Sequence, residues 1–246
     1  MRCSQIVCVL TLSLAAGFCS PRMHAQDEPA IPAVVIPRLP GVGHSAADFA
    51  PHGWTVQLQA AGDLNGDGRP DLAFVLHDTD PHNVLKSSGM GVDSMDTNPR
   101  IFGVAFRDAT GDGYTLALQN STFIPRYTEP TQDDNFGDEG GLWIKRGAIT
   151  LALHYFSNAG GWDAGSATFT FRYQHARFEL IGAEQLNHAR NTGTDTTTSI
   201  NYSTGVVLIT TTSDAGATHV QRRTLAHAPP KVISTMEDGM DFEFPE

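Results

Sequence analysis

Residues 62–76 read GDLNGDGRPDLAFVL, a run of acidic and turn-forming residues that becomes apolar at Leu72. With Asp63 as position 1 of a loop, Asn65 is position 3, Asp67 position 5, Gly68 position 6 and Asp71 position 9. A helix-flanked cation loop of this kind closes with glutamate at position 12. Here position 12 is Phe74, inside LAFVL, and Pro70 at position 8 opposes a helix start. The segment that leaves the loop is therefore expected to be a strand, and the loop to be the turn of a β-hairpin.

The rest of the chain extends that reading. Between Gly53 and about Arg223 the sequence breaks into short runs separated by Gly, Asn or Asp: WTVQLQAAG, DLAFVL, RIFGVAF, YTLALQN, GLWIKRG, AITLALHYF, ATFTFRYQ, RFELIGAEQ, TSINYS and VVLITTT. In ATFTFRYQ, Phe169, Phe171 and Tyr173 share one face of a strand, and Thr168, Thr170, Arg172 and Gln174 share the other. KRGA (145–148) and QHAR (174–177) read as tight links between antiparallel neighbours. DATGDGYTL (108–116) has acidic residues but not the 1-3-5-9 spacing, and reads as a further hairpin turn. No long apolar repeat at helical spacing occurs. The expected fold is all-β, an antiparallel sheet or sandwich built of hairpins. One acidic loop and no repeat of about forty residues argue against a propeller.

Oxygens at alternate positions of a curled loop converge on one point, and glycine at position 6 permits the reversal. Asp63, Asp67 and Asp71 offer carboxylates, Asn65 an amide oxygen and Arg69 its backbone carbonyl. Hard, mostly anionic oxygen donors in a roomy loop suit Ca²⁺ better than Mg²⁺, which demands a strict octahedron. A plain polar turn needs no aspartate at position 9. The stretch resembles the FG-GAP/VCBS calcium loop, D-x-[DN]-x-[DN]-G-x-x-D followed by an apolar strand, over about fifteen residues. NPRIFGVAF, FTFRYQHARFELIG and TSINYSTG are similar to exported bacterial VCBS-repeat-like proteins of unknown function. The resemblance implies one propeller-like calcium-loop hairpin within the β fold and carries no activity.

Composition narrows the remaining classes. The chain opens with Arg2 and an apolar run from Ile6 to Phe18, too short to span a bilayer and placed as a secretory signal, with the cut expected after Ala25. Lipidation at Cys19 would put Phe18 where a small residue is wanted. Cys3, Cys8 and Cys19 all lie in this segment, so residues 26–246 hold no cysteine and no disulfide. Removal of residues 1–25 leaves 14 basic against 27 acidic residues, a net charge of −13. That surface argues against nucleic acid and anionic lipid as partners and favours cations. Residues 26–52 carry five prolines and read as a linker or extended arm with a helical turn at Ser45–Phe49. The β domain is expected over 53–228. Residues 229–246, with Glu237, Asp238, Asp241, Glu243 and Glu246, read as a poorly ordered acidic tail.

Two functional readings follow. The first is an exported, non-enzymatic domain with one structural calcium ion, periplasmic or secreted, whose partner is protein or glycan. The second is a secreted hydrolase using HDTDPH (His77, Asp78, Asp80, His82) and the carboxylates of QDDNFGDEGG (Asp133, Asp134, Asp138, Glu139). HDTDPH directly follows an apolar strand and contains Pro81, which fits a strand end and turn. No G-x-S-x-G elbow, H-E-x-x-H helix or phosphate-binding glycine loop is present. Trp162, in NAGGWDAG, reads as a partly buried plug rather than a ligand platform. Arg126 and Tyr127 read as surface and packing residues. Proximity of His77, His82 and the 133–139 carboxylates would favour the hydrolase, and an exposed aromatic face near Trp162 would favour binding.

Overall fold

A strand does leave the aspartate loop, and it sits at the centre of the molecule. The computed structural model describes residues 30–226 and 229–245; the leader segment expected at 1–25 lies outside them. The fold is all-β and antiparallel. Among the described residues there is no α-helix, only 3-10 turns at Ala46–Phe49, Pro81–Asn83 and Ile233–Thr235.

The first sheet has five strands: β1 (Val42–Gly43), β2 (Trp54–Gly62), β3 (Asp71–Asp78), β6 (Arg100–Arg107) and β7 (Tyr114–Asn120), in the order β1-β7-β6-β3-β2. Between β3 and β6 the chain makes a small ribbon of β4 (Val84–Lys86) and β5 (Ser94–Asp96). The second sheet is a seven-stranded meander. Its strands are β8 (Gly141–Lys145), β9 (Ala148–Phe156), β10 (Asp163–Gln174), β11 (Arg177–Ala189), β12 (Thr194–Asn201), β13 (Val206–Thr212) and β14 (Thr218–Thr224), each paired with the next. The links β8–β9 and β10–β11 are the tight turns expected at KRGA and QHAR. The first places Arg146 and Gly147 at φ 54° and 71°. The second places His175 and Ala176 at 53° and 59° with no glycine to ease the left-handed backbone.

The two sheets face each other across the main core. Ala73 and Val75 of β3, with Phe102 and Val104 of β6, meet Leu151, Phe169, Phe171, Ile200 and Val207 of the meander. The alternation in ATFTFRYQ holds: Phe169 and Phe171 point into this core, and Thr168 and Thr170 point away. β3 and β6 also bury their other face. Leu72, Phe74, Leu76, Ile101 and Ala105 form a second core with Leu39, Ala46 and Phe49. Gly103 allows this packing, because a Cβ there would lie 2.3 Å from the Phe74 ring.

The second core changes the reading of residues 26–52. Instead of a free linker, their described part is a cover for the first sheet. Prolines cannot donate backbone N–H, so the arm offers carbonyls, and side chains of β7 and of the segment after it supply donors. Gln119 donates to the Pro37 carbonyl at 2.8 Å, and Arg126 donates to that of Pro32 at 2.9 Å. The helical turn expected at Ser45–Phe49 is the 3-10 turn Ala46–Phe49. There the Asp48 carboxylate accepts from the N–H groups of His44 and Ser45, and Phe49 stacks on Phe74 at 5.2 Å.

The acidic C-terminal stretch is likewise docked, not loose. Ile233 is fully buried, and Met236, Met240, Phe242 and Phe244 pack on the main core while Glu237, Asp241 and Glu243 remain exposed. Acidic and apolar residues alternate closely here, so net charge alone misdescribed a segment whose isoleucine, methionines and phenylalanines reach the core. The Asn120 side chain fixes it by donating to the carbonyls of Ile233 and Met236.

Candidate metal centre

The loop joining β2 to β3 carries all five residues that the sequence nominates. Gly66 and Gly68 have φ of 81° and 82°, a left-handed backbone that lets the chain curl around Asp63. Asp63 accepts from the N–H groups of Gly66 (2.7 Å) and Gly68 (2.9 Å). Asn65 Oδ1 accepts from Asp67 N–H at 3.0 Å, and Asp67 Oδ1 accepts from Arg69 N–H at 2.8 Å. The second Asp67 oxygen pairs with the Arg69 guanidinium. Asp71, the first residue of β3, is fully buried. One of its oxygens accepts from Leu64 N–H at 2.8 Å and the other from Arg107 N–H at 2.9 Å. Asp71 therefore ties the loop to itself and β3 to β6.

The loop also reaches the second sheet. Leu64 turns inward into the main core while its neighbours Asp63 and Asn65 stay at the surface. Ile144 of β8 lies over Gly62, and Asp63, Asn65 and Gly66 share the wall of a hollow of about 540 Å³ with Arg146, Arg172 and Tyr173. The loop thus stands where the two sheets meet.

The donor set fits calcium in kind: three carboxylates, an amide oxygen and a carbonyl within nine residues. Each oxygen that accepts one N–H keeps a second lone pair. Among the described residues, however, no three acidic, histidine or cysteine side chains converge closely enough to hold a metal ion. The hydrogen bonds account for this spread. Asp67 faces Arg69, Asp63 faces the turn, and Asp71 faces β6, so an ion would have to draw Asp67 away from Arg69.

The second candidate set is divided. β3 ends at Asp78, and Asp80 caps the 3-10 turn Pro81–Asn83 by accepting from His82 N–H at 2.9 Å. The His82 ring turns back to Asp80 and is 90% exposed. His77, on the strand, is largely buried with Nε2 3.8 Å from Asp96. Burial, with Arg100 as the next cause, holds the His77 pKa below the usual histidine value, so the ring is neutral at pH 7. Asp134 is the one member of the 133–139 loop near it, and it receives two hydrogen bonds from Arg100. Among the described residues, neither histidine nor any residue of 133–139 shares the hollow beside the aspartate loop.

Sequence reasoning missed the Arg100–Asp134 pair, in which a guanidinium only 3% exposed is held by Asp134 and Gln57. Its only signal was an arginine opening the apolar run RIFGVAF. Trp162 also differs from expectation, since it is 64% exposed. Its carbonyl accepts from Arg190, whose guanidinium stacks on Phe156 at 4.2 Å, so the backbone is pinned while the indole stands clear. Arg126 is partly buried and donates to Thr97 as well as to the arm. Comparison with protein-family models, curated proteins and solved structures gives no match. The likeness to calcium-loop proteins therefore rests on residues of this chain alone.

Proposed function

We propose that the chain is an exported, non-catalytic β module in which loop 63–71 holds one structural calcium ion. Asp63, Asp67 and Asp71 would supply carboxylates, Asn65 its amide oxygen and Arg69 its carbonyl. Bound there, the ion would neutralise the clustered negative charge of a turn that joins both sheets. The observation that carries the reading is the buried Asp71 carboxylate, which closes the loop and bridges β3 to β6 at the position of the last ligand. Binding rather than catalysis is supported by the ties on the alternative residues. Asp134 is committed to Arg100, and His82 faces solvent beside Asp80. The exposed Trp162 offers a contact for a protein or glycan partner.

Thermal melting tests the proposal. With Kd about 10 μM and free calcium about 1 mM, binding adds roughly 2.7 kcal/mol. For a domain of this size that raises Tm by roughly 5–10 °C. A chelator should remove the gain, calcium should restore it, and equimolar magnesium should restore much less. Isothermal titration should show at least a tenfold loss for Asp67→Ala and no loss for Arg69→Ala, which keeps the liganding carbonyl and frees the Asp67 carboxylate from its ion pair. A melting curve of demonstrably metal-free protein that calcium does not move would sink the proposal.

A further inference from the structure

β14 ends the meander, and among the described residues no strand pairs with its outer side. Its seven residues, THVQRRT, are all exposed. The other long edges are not comparable: β8 and β2 lie against one another through Ile144 and Gly62, and the first sheet is closed opposite by the two-residue β1. In an antiparallel pair the N–H and C=O of one residue point to the same side, and the side alternates along the strand. Just beyond the ends of β14, the Ala217 carbonyl accepts from Ser213 and Leu225 N–H donates to Gly205, both toward β13. Odd-numbered residues therefore pair with β13. Thr218, Val220, Arg222 and Thr224 turn their backbone groups outward, a ready template for another strand.

The side chains select what can pair there. In a chain of net charge −11, residues 218–224 carry His219, Arg222 and Arg223 and no acid. Among the described residues no carboxylate lies within 4.0 Å of either arginine, and Arg223 meets only Gln221. Outward from the core, Val220 is 57% exposed, and Leu208, opposite Arg222 on β13, is 40% exposed. A second copy of this edge is a poor match. Antiparallel self-pairing centred on Gln221 would gather four arginines in one seam, where like charges repel.

We propose that β14 is a docking edge for an extended acidic peptide segment, which adds to the meander as an eighth, antiparallel strand. Two adjacent acidic residues would face Arg223 and Arg222, one on each side of the sheet. An apolar residue two positions further on would lie beside Val220. Main-chain hydrogen bonds to the outward groups give the affinity, and the charges give the register. This goes beyond the calcium reading and does not depend on it.

The test is fluorescence anisotropy with the full chain and a labelled nonapeptide of threonines holding two adjacent glutamates and, two positions later, a valine. Saturable binding that weakens with salt is expected, with no binding of the same peptide carrying lysines. Arg222→Glu/Arg223→Glu should lower affinity at least tenfold. Val220→Pro should do the same by removing one outward donor while leaving the β13 ladder intact. Both variants should keep the wild-type Tm. Equal binding of the acidic and basic peptides would overturn the proposal, as would undiminished binding by Val220→Pro. Absence of any binding would mean that the arginines only guard the edge. Concentration-dependent dimerisation of the wild type in sedimentation would mean that a second copy is the occupant.

Discussion

The two sheets bury themselves differently. β3 and β6 are buried at almost every position, whereas along β10 buried residues alternate with partly exposed ones. The first sheet is covered on both faces, by the meander and by the proline-rich arm. The meander is covered on one face and leaves a face of partly exposed threonines and serines, from Thr168 and Thr170 to Ser199 and Thr210. A continuous apolar run therefore states that two covers exist, and an alternating run states that there is one.

Substitutions on the two sheets should separate the cases. Phe49→Ala removes the ring stacked on Phe74 and should cost about 3–5 kcal/mol in urea denaturation. A loss below about 1 kcal/mol would mean that the arm is not part of the core. Asp134→Ala should cost about 3 kcal/mol because it strands the buried Arg100 charge, and an added Arg100→Met should recover much of the loss. A smaller effect concerns pH. The lowered His77 pKa means that the unfolded chain takes up this proton first as pH falls. The stability it contributes is complete above about pH 6.5 and is lost as pH falls through the depressed value. His77→Gln should therefore flatten the decline of Tm below pH 6.5. On the open face, Leu208→Thr should shift stability by no more than about 0.5 kcal/mol. A large loss there would reveal a second cover on the meander.

Much of this architecture was legible. Alternation in ATFTFRYQ, the turns at KRGA and QHAR, and Phe74 at loop position 12 together specify antiparallel hairpins. The cover over β3 was present in LAFVL, which has no polar face to give to solvent. Proline density in 26–52 obscured it, since prolines exclude regular elements without excluding packing. The acidic tail misled for a related reason: charge counted by segment hides apolar residues spaced to reach a core. The site was legible as donors but not as geometry. Spacing places Asp63, Asn65, Asp67 and Asp71 on one turn, but the direction of the Asp71 carboxylate depends on Arg107, thirty-six residues further on. β14 went unrecognised because THVQRRT has little apolar content, and its strand state comes from pairing with β13.

The docked C-terminal segment bears on the timing of folding. Phe242 lies 5.2 Å from Phe169, and Gly239 N–H donates to the Phe123 carbonyl. The space between the sheets is thus filled in part by residues that follow every strand of the meander in the chain. Each hairpin of the meander pairs neighbours in sequence, whereas docking of residues 233–244 joins Asn120 to Ile233 and Met236, 113 and 116 residues away. Closing so long a loop costs more chain entropy than closing a hairpin, so docking of this segment should lag behind the strands.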